Sequence, residues 1–239
     1  MNKKLIIVGA GVNRNSMTLA GIDALKKGEV VLYDRLIDKS LLEYASCECI
    51  DVGKHPYDKN CVRQKDINEI IREHLEKGRC VVRLKGGDSS VFARTAEEVE
   101  TAKAAGADVE VIAGVTSASA LSAKMKSALT DRRNIPGVVF ITGHTKDGTL
   151  DDAYNWKALA NLGLTIVVYM GVRNFGVIAA KLTENGMDAA VPVLIGENIG
   201  TEGERVMFTS LSEAERFIAE NSVKHPATII IGEVVNHAG

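Results

Sequence analysis

Through its first half the chain alternates short apolar runs with amphipathic stretches, and this alternation limits the folds open to it more than any other feature. The runs Leu5–Val8, Val30–Tyr33, Cys49–Val52, Cys80–Leu84 and Val109–Ile112 are rich in β-branched residues and too short for helices. Helical patterns separate them at Leu19–Lys27, Lys39–Tyr44, Ile67–Lys77 and Thr95–Ala105, with Lys77-Gly78 and Ala105-Gly106 as stop signals. Strand, helix and strand repeated predict a parallel sheet with crossover helices. The texture changes after Ala113-Gly114, where a small-residue helix leads out of the first domain. Strands at Val138–Thr142, Thr165–Tyr169, Val191–Ile195, Arg205–Thr209 and Thr228–Ile231 follow, with helices at Asp152–Ala160, Asn174–Glu184 and Ser212–Glu220. Two consecutive strands before the last helix predict some antiparallel pairing. The expectation is two α/β domains, 1–114 and 115–239, joined tightly near 113–118.

Composition excludes several classes. The 239 residues are 46% hydrophobic and 25% charged, with 22 glycines against 4 prolines, which suits a folded chain with many tight turns. A net charge of −2 gives no reason to expect nucleic acid or an anionic membrane surface as partner. No apolar run approaches the ~18 residues that span a bilayer. The first apolar run is too short for a secretory signal, so a cytoplasmic protein is expected. Cys47, Cys49 and Cys61 with His55 match no usual zinc spacing, and Cys80 opens an apolar strand; reduced thiols and no metal are expected.

Four stretches carry chemistry. Gly9-x-Gly11 follows the first strand and Asp34 ends the second, as in a dinucleotide site, but Arg14 stands where a third glycine belongs. In "RLKGGDSSVFARTAEE" (83–98), Gly86-Gly87 let a ligand approach the backbone, and Asp88 can hold ribose hydroxyls or an ammonium. The same three residues also read as a plain turn and helix cap. Asp34 and Lys54 close successive strand candidates. Parallel neighbours would bring both to one sheet edge, as base and acid or as two solvated loop residues. Thr116 and Ser117 sit at a helix start, Met170 at a strand end beside Gly171, and His144 at another strand end.

Taken in order, "VGAG", "VVLYDRL", "VGK", "VVRLKGGD", "VFAR", "GVTSAS", "LTDR", "TGH", "YMG" and "IIIGEVV" resemble the tetrapyrrole methylase family over nearly the whole chain. The resemblance implies two α/β domains with a cofactor cleft between them, S-adenosyl-L-methionine as methyl donor, S-adenosyl-L-homocysteine as product, and a homodimer. It implies methylation of uroporphyrinogen III at C2 and C7 to precorrin-2, for sirohaem and cobalamin. Cofactor contacts carry over to Val12, Gly86, Gly87, Asp88, Val91, Thr116, Ser117, Met170 and Ile199, and the acid/base pair to Asp34 and Lys54. Uroporphyrinogen bears a carboxylate on every peripheral side chain, so a locally basic cleft is expected. Arg35, Arg83, Lys85, Arg94 and Arg132 are the substrate candidates, with Arg63 and Arg133 beside them.

Several loops depart from the family. Gly11-Val12-Asn13-Arg14 stands in place of Gly-Pro-Gly-Asp. Ser89-Ser90 replaces Pro-Phe, and Ala93, Thr95 and Ala96 replace glycines. Lys124, Lys126, Ala128 and Asp131 alter the stretch before Arg132. These changes leave open a second reading, a tetrapyrrole or S-adenosylmethionine binder with altered or lost activity.

Overall fold

A computed structural model describes residues 3–53, 63–144, 150 and 153–237. In the first unit, Met1–Ser117, the five expected strands form at Lys4–Gly9 (β1), Val30–Tyr33 (β2), Glu48–Asp51 (β3), Cys80–Lys85 (β4) and Asp108–Ile112 (β5). They make one sheet in the order β3-β2-β4-β1-β5, with every pair parallel. Side-chain alternation decides what each face buries. Leu5 and Ile7 of β1 pack with Ile67, Ile71 and Leu75 of α2 (Gln64–Glu76) and Ala102 of α3 (Thr95–Ala104). Ile6 and Val8 pack the other way, against Ala24 and Leu25 of α1 (Leu19–Lys27). The spacing of Ile67, Ile71 and Leu75 puts one apolar stripe on α2, and that stripe seats it on the sheet. Lys39–Tyr44, expected as a helix, is a 3-10 stretch capped by Asp38, whose side chain accepts from the Ser40 N–H at 3.0 Å. The tighter 3-10 turn suffices to bury Leu41.

The second unit, Ala118–Gly239, holds most of α4 (Ser117–Lys124), then β6 (Val138–Thr142), α5 (Trp156–Asn161), β7 (Thr165–Tyr169), α6 (Phe175–Glu184), β8 (Pro192–Glu197), β9 (Arg205–Ser210), α7 (Ala214–Glu220) and β10 (Ala227–Ile231). Its sheet runs β6-β7-β10-β8-β9. Only β6 and β7 pair in parallel. The expected antiparallel pairing joins β8 to β9 and places β10 between β7 and β8. Both faces of β10 are covered, which is why Ile229, Ile230 and Ile231 follow one another without a polar break. Helix α5 starts later than its apolar pattern suggested, because Asn155 caps it by accepting from the Ala158 N–H at 3.0 Å. Since β7 and β8 both oppose β10, they point the same way, and Met170 and Ile199 follow their C-terminal ends at one edge of the sheet.

Candidate active site

The reason for the first glycines lies in what touches them. At the C-terminal edge of the first sheet, the loops after β1 and β4 bond to each other. The Ala10 N–H donates to the Lys85 carbonyl at 2.8 Å, the Gly11 N–H to Gly87 at 3.0 Å, and the Gly87 N–H back to Gly11 at 2.8 Å. Gly11 and Gly87 both have positive φ, +69° and +71°. A Cβ on Gly9 would lie 2.6 Å from the Gly114 nitrogen, and one on Gly114 would lie 2.3 Å from the Gly87 carbonyl oxygen. Gly9, Gly87 and Gly114 are thus one backbone-to-backbone contact, with no space for side chains at two of the three. A Cβ on Gly87 would meet only the Thr116 Cα, at 4.0 Å.

This geometry overturns the dinucleotide reading. A dinucleotide sheet places β1 beside β2, in the order 3-2-1-4, whereas here β4 separates them. The residue that looked out of place, Arg14, belongs to a built turn. Asn13 Oδ1 accepts from the Ser16 N–H at 3.1 Å, and Ser16 Oγ accepts from the N–H groups of Val12 and Asn13 at 2.8 and 3.0 Å. The Arg14 N–H then bonds Asp38, and its guanidinium reaches Glu43 at 2.8 Å and the Tyr44 hydroxyl at 3.0 Å.

Asp34 follows β2 at the same edge, with its side chain about one-third exposed, and its Oδ1 lies 2.5 Å from Arg83 Nη2. Its expected partner Lys54 lies outside the described residues, as do His55 and Cys61. Arg83 and Lys85, expected to face substrate, require correction. They are only 1% and 3% exposed. Strand register turns both toward the α3 face, where Glu98 accepts from Arg83 Nε at 3.0 Å and from Lys85 Nζ at 2.8 and 2.9 Å. Two cations in a buried strand need an anion close by. That need is a sequence signal for an acid on the covering helix, and it fits Glu97 as well as Glu98. Arg94 is exposed and forks onto Glu97 through two 2.7 Å bonds. Arg63 pairs with Asp66 and Arg133 with Asp131. Arg35 and Arg132 are exposed.

Asp88 Oδ2 accepts from the Gly114 N–H at 2.8 Å, and Oδ1 accepts from the Ser90 N–H at 2.7 Å and from the Ser90 hydroxyl. Burial pushes its carboxyl up, but the Ser90 hydroxyl and the Gly114 and Ser90 N–H groups outweigh burial and hold it below the ordinary carboxylate value.

The comparisons with known proteins decide the family. The model for Tetrapyrrole (Corrin/Porphyrin) Methylases matches residues 4–215. The chain belongs to the tetrapyrrole methylase family. It is 37% identical over 237 residues to a uroporphyrinogen-III C-methyltransferase of Bacillus subtilis, covering 98% of this chain and 91% of that one. A siroheme synthase of Edwardsiella ictaluri is 37% identical over 97% of this chain and 50% of its own length. The uroporphyrin-III C-methyltransferase of Thermus thermophilus, solved with S-adenosylhomocysteine, superposes with a TM-score of 0.82 at 35% identity, over 98% of this chain and 94% of that one.

As a tetrapyrrole methylase, the chain carries its family departures as finished structure. Ser89, in the place of proline, donates its hydroxyl to the Ile112 carbonyl at 3.1 Å. Ser90 secures Asp88, and the Thr95 hydroxyl bonds the Ser89 carbonyl. Lys124 pairs with Glu204 at 2.8 Å. Asp131 is drawn down to about 2, chiefly by the Arg133 side chain. The glycine edge fits a methyl donor of the S-adenosyl type. Gly87 offers backbone with open space beside it, Asp88 supplies an ionised carboxylate, Gly86, Val12 and Val91 belong to the same loops, and Thr116 follows β5 beside Gly87. Ser117 opens α4. In the second unit, Met170 has φ +54° and is half exposed. The side chain of Ile199 instead packs in the core with Leu121 and Val235.

The Asp88 bonds carry a test. A carboxyl depressed by folding stabilises the fold above its unfolded value of ~3.9, and that contribution is lost as pH falls through the folded value. Ser90→Ala removes one depressing bond. The variant is expected to be about 0.5–1 kcal/mol less stable near pH 7. The gap to the unchanged protein should close as pH falls through the depressed folded value of Asp88, where the carboxyl becomes protonated in both. Thermal unfolding from neutral to acid pH measures it, and a gap that persists once the carboxyl is protonated would assign the loss to packing.

Proposed function

We propose that the chain transfers methyl groups from S-adenosyl-L-methionine to C2 and C7 of uroporphyrinogen III, giving precorrin-2 for sirohaem and cobalamin, as a cytoplasmic homodimer. The observation that carries the reading is the shared sheet edge. Asp34, Gly86, Gly87 and Asp88 follow adjacent strands β2 and β4 there, and Gly11 and Gly114 bond to the glycine loop. Bound S-adenosylmethionine supplies an already activated methyl group.

The chain's own residues then have limited work. Gly86, Gly87, Thr116 and Ser117 offer backbone and hydroxyl groups to the donor. Asp34 presents a carboxylate to the pyrrole ring. Attack by the ring carbon leaves the ring cationic with a proton to lose, and a fixed carboxylate both stabilises that charge and takes the proton. Lys54 is the proposed acid partner. Exposed Arg35, Arg94 and Arg132 are the proposed receivers of the peripheral carboxylates.

Anaerobic incubation with uroporphyrinogen III and S-adenosylmethionine tests this. The expected product carries two added methyl groups by mass, at C2 and C7 by NMR. Binding of S-adenosylhomocysteine without any methylated product would instead support the reading as a binding protein.

A further inference from the structure

Glu98 is the most enclosed charged side chain at this edge, 0% exposed. Besides Arg83 and Lys85 it accepts a longer bond from Gln64 Nε2, at 3.3 Å. Arg83 is equally fixed. Its Nε bonds Glu98, its Nη1 bonds the carbonyls of Leu32 and Leu84 at 3.3 and 3.1 Å, and its Nη2 bonds Asp34. A guanidinium is planar, so anchoring Nε and Nη1 sets the direction in which Nη2 points. Of the four charged groups in the cluster only Asp34 reaches solvent appreciably.

We infer that Glu98 is a positioning residue: through Arg83 it couples the exposed carboxylate of Asp34 to helix α3 and fixes its direction at the sheet edge. This rests on the proposed acid/base role of Asp34. The alternative is a purely structural ion cluster. Buried ion clusters cost several kcal/mol in lost hydration, and apolar side chains of matching volume often serve as well. The rest of this face is filled in that way, by Leu5, Ile7, Leu32 and Val81. The buried charges on this sheet face sit at Arg83 and Lys85, the last two inward positions of β4, next to Asp34.

Two charge-balanced pairs separate the readings. Lys85→Leu with Glu98→Leu removes one cation, one anion and the acceptor for Arg83 Nε. Lys85→Leu with Glu98→Gln removes the same charges and keeps an acceptor oxygen. The first pair is expected to lower kcat about 30-fold, with KM for uroporphyrinogen III and Kd for S-adenosylhomocysteine within about threefold of normal, as for a displaced reacting group. The second is expected to recover about tenfold of that loss. Asp34→Asn should cost far less in the first pair than in the unchanged protein, because both act on one interaction. Equal kcat in the two pairs, or an equal cost of Asp34→Asn in both backgrounds, overturns the inference and leaves a structural cluster. If Asp34→Asn costs nothing in the unchanged protein, the acid/base reading has failed and the inference goes with it. Should the leucine pair not fold, Arg83→Lys keeps the charge and loses the fork. It is expected to lower kcat about tenfold with cofactor binding intact, and an unchanged kcat would count against positioning.

Discussion

Asp34→Asn is expected to lower turnover by about 10²- to 10⁴-fold, the range for removing a positioned acid/base group, while affinity for S-adenosylhomocysteine changes by less than about threefold. The asymmetry follows from what the substitution keeps. The introduced amide would retain an oxygen for Arg83 Nη2, so the buried guanidinium would still have its four contacts. What disappears is the negative charge and the basic oxygen at the sheet edge. Asp34→Ala removes the acceptor as well, and should add a loss of stability of about 1–3 kcal/mol for the N–H left without a partner. Isothermal titration with S-adenosylhomocysteine and single-turnover methylation separate the two quantities. Equal losses in both would make Asp34 a structural or cofactor residue and remove it from the chemistry.

The sheet of the first unit was legible because its signals are local. Leu5–Val8 and Val30–Tyr33 could bury both faces only as central strands, and Ile67, Ile71 and Leu75 mark one side of one helix. The order of the strands was less legible. Nothing in β4 itself says that it inserts between β2 and β1, and that insertion separates this edge from a dinucleotide site. Arg83 and Lys85 were misassigned for a related reason. Alternation puts them on one face together, but which face depends on where α3 lands. Only the packed structure distinguishes Glu98, which turns inward, from its neighbour Glu97, which bonds Arg94 outside. Asn13–Ser16 looked like a loop stripped of glycine because the expected family motif was used as the standard. Its own signal was a capping pattern, with Asn13 and Ser16 three residues apart.

Gly114→Ala and Gly87→Ala are expected to fail in opposite ways, although both residues belong to one contact. A Cβ on Gly114 would meet the Gly87 oxygen at 2.3 Å and the Gly9 carbonyl carbon at 2.6 Å. These are backbone atoms of two loops that already bond to each other, so no flexible side chain can yield. Relief requires opening the Gly11–Gly87 pair or the Asp88–Gly114 bond. Overpacking of this kind costs about 3 kcal/mol or more, a drop of roughly 4–8 °C in Tm per 2 kcal/mol for a chain of this size. Cofactor binding should fall with it. Gly87→Ala brings no clash, since its Cβ has only the Thr116 Cα at 4.0 Å. It carries the left-handed strain of φ +71°, about 1–2 kcal/mol, and places a methyl group in the space where the donor is proposed to lie. Its fold should survive, while affinity for S-adenosylhomocysteine falls about tenfold or more, the equivalent of ~1.4 kcal/mol. Thermal unfolding and calorimetric titration of both variants decide the matter. A Gly87→Ala protein that binds normally would mean that the open side of Gly87 faces no ligand, and the donor would have to be sought away from this loop.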